Sequence, residues 1–252
     1  MKKTLSLTLL FVGCFVLFTV WHLPANVAFH AFASKLSNQL QFGQITGSIW
    51  NGQVTEIRVQ QMPLKNVRWE ISPWALLRGN LQAQVQLGNA RVKEEISGHG
   101  AVTFGLFNQT IALHDATLRT SVEQAMAHVT LPLPVQAKGR VILEIQQYQS
   151  GMPYCQALQG EIHSPEIEVQ GVNSWFSIGE LAGSLGCKSG DIAVNVLAEN
   201  RLGLQADAVL SANLQFKVAG KIKPDASLPK EVHDAVKFLG RADADGFYPI
   251  KL

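Results

Sequence analysis

The sequence predicts an all-β, mainly antiparallel protein carried behind one N-terminal membrane helix. Three observations predict it. Residues Leu5 to Leu23 form an apolar run broken only by Ser6, Thr8, Thr19 and His22. Beyond it, apolar and polar residues alternate with a period of two, which is the pattern of strands with one apolar and one polar face. Turn residues separate these stretches, and helical periodicity is scarce.

The apolar run spans about 28 Å as a helix, close to the hydrocarbon thickness of a bilayer. Lys2 and Lys3 precede it, Trp21 stands at its far end and Pro24 marks the exit. Lysines stay cytoplasmic and an indole favours the headgroup layer, so the C-terminal mass is expected to be exported. Two other readings compete. A cleaved signal peptide has a shorter apolar core followed closely by a small-x-small site; here the best candidate, Ala31-Phe32-Ala33, comes late. A lipoprotein would use Cys14, but Phe11-Val12-Gly13 is a poor approach to it and the apolar run continues past it. The expected layout is a cytoplasmic tail over 1–4, an anchor over 5–23, a membrane-proximal helix or linker over 24–40 and a β-rich domain over 41–252.

Composition agrees. Of 252 residues, 47% are hydrophobic and only 16% charged, which excludes a disordered chain. The net charge is +2 and comes from Lys2 and Lys3, so the exported part is neutral. A nucleic-acid reader carries a basic face, and no basic run occurs here.

The strands are read from Val67, Trp69 and Ile71; from Leu81, Ala83, Val85 and Leu87; from Val141, Leu143 and Ile145; from Ile192, Val194 and Val196; and from Leu202–Ala208 and Leu214–Ile222. Turns are placed at Asn51-Gly52, Gly79-Asn80, Gly88-Asn89, Gly98-His99-Gly100, Ser150-Gly151, Gly171-Val172-Asn173 and Ser189-Gly190. Three helices are expected: Phe29–Leu40, a short one over Pro73–Leu77, and Leu228–Leu239 with Ser227 as its cap and Gly240 at its end. Val122–Val129 is the least strand-like stretch. Leu131-Pro132-Leu133-Pro134 is extended, and a division of the chain near it is conceivable.

Cys155 and Cys187 form an even pair in the exported part and read as a disulfide; two buried free thiols remain the alternative. Closing 32 residues would stabilise the fold by about 3.7 kcal/mol on the chain-entropy account. No second Cys or His stands at ligand spacing beside either, so no metal is expected. The seven histidines are scattered, and no HExxH, nucleophile elbow, dinucleotide or P-loop pattern occurs. His114-Asp115 lacks a third group. No catalytic residue and no cofactor is expected, and the chain does not read as an enzyme. Trp50, Trp69, Trp74 and Trp175 are either core fillers or interface anchors. Trp74 follows Pro73 at a strand exit and is the candidate for partner contact; Trp69 sits mid-strand and is expected in the core.

Gly47-Ser48-Ile49-Trp50-Asn51-Gly52, then Val67-Arg68-Trp69-Glu70-Ile71-Ser72-Pro73-Trp74-Ala75-Leu76-Leu77-Arg78-Gly79, stand behind the single anchor. With the Leu-x-Gly strands around Cys155 and Cys187 and the ending Asp245-Gly246-Phe247-Tyr248-Pro249-Ile250, these residues resemble the type II secretion system protein N family. The Gly-Ser-Ile-Trp element is shared in looser form with AsmA-like envelope proteins. The resemblance implies a single-pass inner-membrane subunit with its N-terminus in the cytoplasm and its domain in the periplasm. It implies partners among the other secretion components, the inner-membrane platform first and the outer-membrane secretin as a further candidate. The AsmA-like alternative is a curved, extended sheet whose apolar face forms a groove for lipid. Side chains packed across that face would favour an assembly subunit, and an open apolar trough would favour the groove.

A reporter fused after Leu252 should be active only outside the cytoplasm, with Met1 or Lys2 retained. A soluble form beginning near Ser34 would show a cleaved signal instead.

Overall fold

The computed structural model describes residues 2–33, 40–59, 62–92, 95–126, 135–171, 174–211 and 216–251. They divide into two compact units, Met1–Gly88 and Asn89–Leu252. The division therefore falls at a glycine turn and not near the Leu131–Pro134 stretch, which lies outside the described residues. All strand pairings are antiparallel.

The first unit opens with α1 (Lys2–Trp21) and α2 (Ala25–Ala33). Strands β1 (Leu40–Phe42), β2 (Ile45–Gly47), β3 (Asn51–Val59) and β4 (Met62–Ser72) follow, then α3 (Pro73–Leu76) and β5 (Asn80–Leu87). β3 carries β1 and β2 end to end on one edge and β4 on the other; β4 pairs with β5. In β5, Leu81, Ala83, Val85 and Leu87 are half-buried and Gln82, Gln84 and Gln86 exposed, as the alternation requires.

The second unit is a meander of β6 (Ser97–Gly105), β7 (Ile111–Ser121), β8 (Ala137–Ser150), β9 (Cys155–Gln170), β10 (Trp175–Lys188), β11 (Asp191–Val196), β12 (Gln205–Leu210), β13 (Phe216–Ile222) and β14 (Tyr248–Lys251). α4 (Val122–Met126) lies between β7 and β8. α5 (Lys230–Ala235) and a 3-10 turn (Val236–Leu239) lie between β13 and β14. The core of this unit is Val122, Ala137, Ile167, Ile178 and Leu228, with Met126, Val169, Phe176 and Val232 packed on it. It combines one face of β8, β9 and β10 with the inner sides of α4 and α5.

Several expectations are corrected. The linker helix expected over Phe29–Leu40 is described over Ala25–Ala33, residues 34–39 lie outside the described residues, and Leu40 belongs to a strand. The turn read at Asn51-Gly52 sits at Ser48–Trp50, because Asn51 and Gly52 already pair in β3. Gly98-His99-Gly100 is no turn but the first part of β6, with a register shift beyond His99. A Cβ on Gly100 would stand 2.7 Å from that of Ala116 on β7, so the glycine serves close strand approach at a bulge. The C-terminal helix starts at Lys230, and its N-cap is Pro229. Ser227 is engaged elsewhere, its N–H donating to Asp225 Oδ1 at 2.7 Å and its hydroxyl receiving Arg201 Nη2 at 3.1 Å.

Among the described residues no helix is long and apolar enough to cross a membrane. The membrane-spanning anchor expected over 5–23 is therefore not shown. α1 has 20 residues, and the side chains described on it run from Ser6 to Trp21, position 17 apart. Leu7, Leu9, Leu10, Phe11, Val12, Phe15, Val16 and Phe18 are each more than half exposed.

Cys155 and Cys187 are joined, with Cα atoms 6.0 Å apart on the neighbouring strands β9 and β10. Alkylation of the unfolded, unreduced chain should label Cys14 alone; labelling of all three cysteines would overturn the pairing. Replacing Cys155 and Cys187 by alanine should cost about 2–4 kcal/mol in denaturant unfolding.

Candidate functional site

Three surfaces stand out. The first surrounds the Gly47–Gly52 segment. Gly47 has φ +90°, a conformation that favours glycine, and it closes β2 against β3 through its pairing with Gly52. Gly52 also pairs with Trp69 across the strands. A Cβ on Gly52 would collide with the Trp69 ring and approach Ser48 O to 2.9 Å. The ring thus lies flat over a bare backbone, and its indole N–H donates to Ile49 O at 3.0 Å. Phe29 of α2 meets Trp69 at 5.5 Å between ring centroids and Phe42 at 5.6 Å. Trp69, expected in the core, is half-buried, with Phe29 packed against its ring.

The second surface is α3. Pro73 fixes its first turn, Ala75 is buried and turns inward, and Trp74 and Leu77 stand 75% and 80% exposed. They form a small apolar patch at the turn between β4 and β5. Trp175, by contrast, is covered by Lys138, whose Nζ lies 3.6 Å from the ring centroid.

The third surface is an apolar cavity of about 810 Å³ in the second unit, lined chiefly by Val122, Met126, Val141, Ile178, Leu181 and Phe238. Its volume is that of a small-molecule site. It opens beside the packed cluster, so this sheet face is packed in part and open in part. Sequence reading missed it. Val122, Ala125 and Met126 do follow a helical i, i+3, i+4 spacing, but α4 is too short for that signal to carry weight. Missed too were Phe107 and Met152, both over 90% exposed at the tips of the β6–β7 and β8–β9 hairpins.

Near the cavity, Arg201 ties the approach of α5 to the sheet, its Nη1 donating to Ser177 O at 2.8 Å. The Ser227 hydroxyl and then its N–H, with Arg201 nearby, hold the Asp225 carboxyl below its ordinary 3.8. A depressed carboxyl contributes stability above its unfolded pKa and loses it as pH falls through the folded one. This contribution is therefore intact at neutral pH and fades only in acid.

His114 and Asp115 lie inside β7, where Asp115 has φ +49°, and they meet no acid–base partner in the hydrogen bonds of the described residues. Among the described residues no cluster of three His, Cys, Asp or Glu side chains could hold a metal.

The molecule defined by these features is an antiparallel β protein with apolar surfaces and an exposed N-terminal helix. The family described as "Type II secretion system (T2SS), protein N" matches residues 38–251, and the chain belongs to that family. It is 29% identical over 256 residues to the type II secretion system protein N of Vibrio cholerae serotype O1, covering 99% of this chain and 97% of the relative. The protein of the same name from Aeromonas hydrophila is 26% identical, with 100% and 98% covered. That from Klebsiella pneumoniae is 19% identical, with 99% and 95% covered. No solved structure matches the chain.

Gly52→Ala should lower stability by about 1–3 kcal/mol through overpacking against Trp69. Trp69→Ala should cost about 3 kcal/mol, the lower end for a tryptophan because the ring is half-buried. Thermal melts of the full chain check both, and a Gly52→Ala melt equal to the parent's would show that the Trp69 ring is placed otherwise.

Proposed function

We propose that the chain is an inner-membrane-anchored accessory subunit of the type II secretion system, which supports export of folded periplasmic proteins by holding other components of the machine. The observation that carries the anchor is α1. Its described apolar side chains are exposed on every face of the helix, and a helix apolar all round is stable only when something apolar surrounds it. Its 20 residues reach about 30 Å, the depth of a bilayer's hydrocarbon. Lys2 and Lys3 keep the N-terminus cytoplasmic, and the strands then fold in the periplasm.

The partner reading rests on the family and on chemistry. A neutral domain gains little from electrostatic steering, so contact falls to apolar patches and strand edges. The exposed Trp74 with Leu77 is the preferred patch, since a desolvated tryptophan supplies much of an interface's energy. Partners are expected on the inner-membrane platform, with the secretin as a further candidate. The chain acts without cofactor and without catalysis.

A second reading is favoured by the apolar cavity: an AsmA-like protein that holds lipid or another hydrophobe against its sheet. Solvent extraction of the purified chain followed by mass spectrometry separates the two, since a stoichiometric lipid would favour the second.

In-cell cross-linking tests the first. Trp74→Ala should keep the parent's melt and lose most of its cross-links to the platform, and release of the β domain from α1 should weaken the same cross-links. If both variants cross-link like the parent, the adaptor mechanism is wrong.

A further inference from the structure

The exit of α1 is clamped to the sheet. Trp50 Nε1–H donates to Val20 O at 3.2 Å. Ile49 N–H donates to Leu23 O at 3.2 Å, and Pro24 and Ser48 form an antiparallel bridge. The Trp50 ring lies 6.0 Å from that of Trp21. Behind the turn, Ile49 O receives the Trp69 indole. The clamp thus runs from the last turn of α1, through the Ser48–Trp50 turn, into strand β4. Val20 O receives Leu23 N–H at 3.4 Å as well as the Trp50 indole, and Ile49 supplies a donor to Leu23 O just past the helix end.

These bonds fix the height of Trp50. A 20-residue helix that starts at the cytoplasmic face ends near the opposite boundary of the hydrocarbon. Val20 and Trp21 then stand at that boundary, and Trp50 is bonded to Val20. Trp21 is 55% exposed and Trp50 is half-buried, so each ring keeps open surface. From Leu40 to Thr55 the sequence carries no charged residue, so this segment can approach lipid headgroups without stripping water from a charge.

We infer that Trp21 and Trp50 form an indole pair seated in the headgroup layer of the periplasmic leaflet, with the Ser48–Trp50 turn resting on the lipid. The partner of this surface is the bilayer interface, where an amphipathic ring places its body among chains and its N–H side toward water. Unit one is then held at a fixed height and does not swing on a linker. The inference rests on the anchor reading of α1.

Depth-dependent quenching tests it. The full chain is reconstituted in phosphatidylethanolamine–phosphatidylglycerol vesicles carrying a spin label either near the headgroup or deep in the acyl chain. The shallow label should remove more tryptophan emission than the deep one. The difference should shrink in Trp50→Phe and stay unchanged in Trp175→Phe. Should Trp50→Phe lose its melt, the reciprocal chain with Trp21, Trp74 and Trp175 changed to phenylalanine, which keeps Trp50 and Trp69, should retain the shallow quenching, and changing Trp69 to phenylalanine as well should leave it in place. If that chain floats with the vesicles yet neither label quenches it, the seating is overturned while the anchor stands. A chain that does not float overturns the anchor, and the seating with it.

Discussion

An antiparallel strand has two faces, and a sheet buries a face only where another element lies on it. Most of the apolar side chains in β5 and β8 are no more than half-buried, and each unit carries a small local cover. In the first unit the cover is α2 with the rings of Phe29, Phe42 and Trp69. In the second it is α4, through Val122, and α5 over Ala137, Ile167 and Ile178. Covers this small make individual residues matter. Trp69 closes the first cover only because Gly52 presents no side chain beneath it, and the same ring bonds the turn that receives α1. Cys155 and Cys187 cross-link β9 to β10 beside the hairpin that joins β8 to β9.

The alternation of small, local signals explains what could be read from the sequence. Leu81 to Leu87 and Ile192 to Val196 announce their strands because side chains on opposite faces meet different surroundings. The disulfide was legible from the even pair of cysteines, Cys155 and Cys187, beyond the apolar run. Asn51-Gly52 misled because the dipeptide is a hairpin signal in its own right, whereas here Gly52 is selected by a ring 17 positions away. Gly98-His99-Gly100 misled for the same reason, its glycines answering to β7. Ser227 looked like a cap, yet Asp225 and Arg201 claim it and Pro229 takes the position. The two glycine misreadings trace to partners on another strand, and that of Ser227 to Arg201 26 positions away together with the neighbouring Asp225.

The candidate surfaces divide the same way. The exposure of Trp74 followed from Pro73, a local cause. The cavity did not, because it needs β8, β9, β10, α4 and α5 in place before its walls exist. Family membership speaks to the secretion role and is silent on both surfaces. The cavity and the Trp74–Leu77 patch lie in different units, so a hydrophobe held by one and a protein contact made by the other are compatible on one chain.

The clamp at the end of α1 changes how such a contact would work. On a flexible linker, confinement raises the effective concentration of a partner site, commonly to about the millimolar range, but leaves its orientation free. A backbone bridge, two hydrogen bonds and a pair of rings remove that freedom at the helix exit. α3 belongs to the same unit as the clamp, so Trp74 would face its surroundings at a set height above the membrane. Orientation fixed before encounter reduces the ordering that binding must otherwise impose. On the proposed anchor, a patch as small as Trp74 with Leu77 would then lose less to ordering than the same patch on a freely tumbling protein. The neutral sequence between Leu40 and Thr55 suits the proposed seating, since a charge there would favour water over lipid and would lift the turn away from the headgroups.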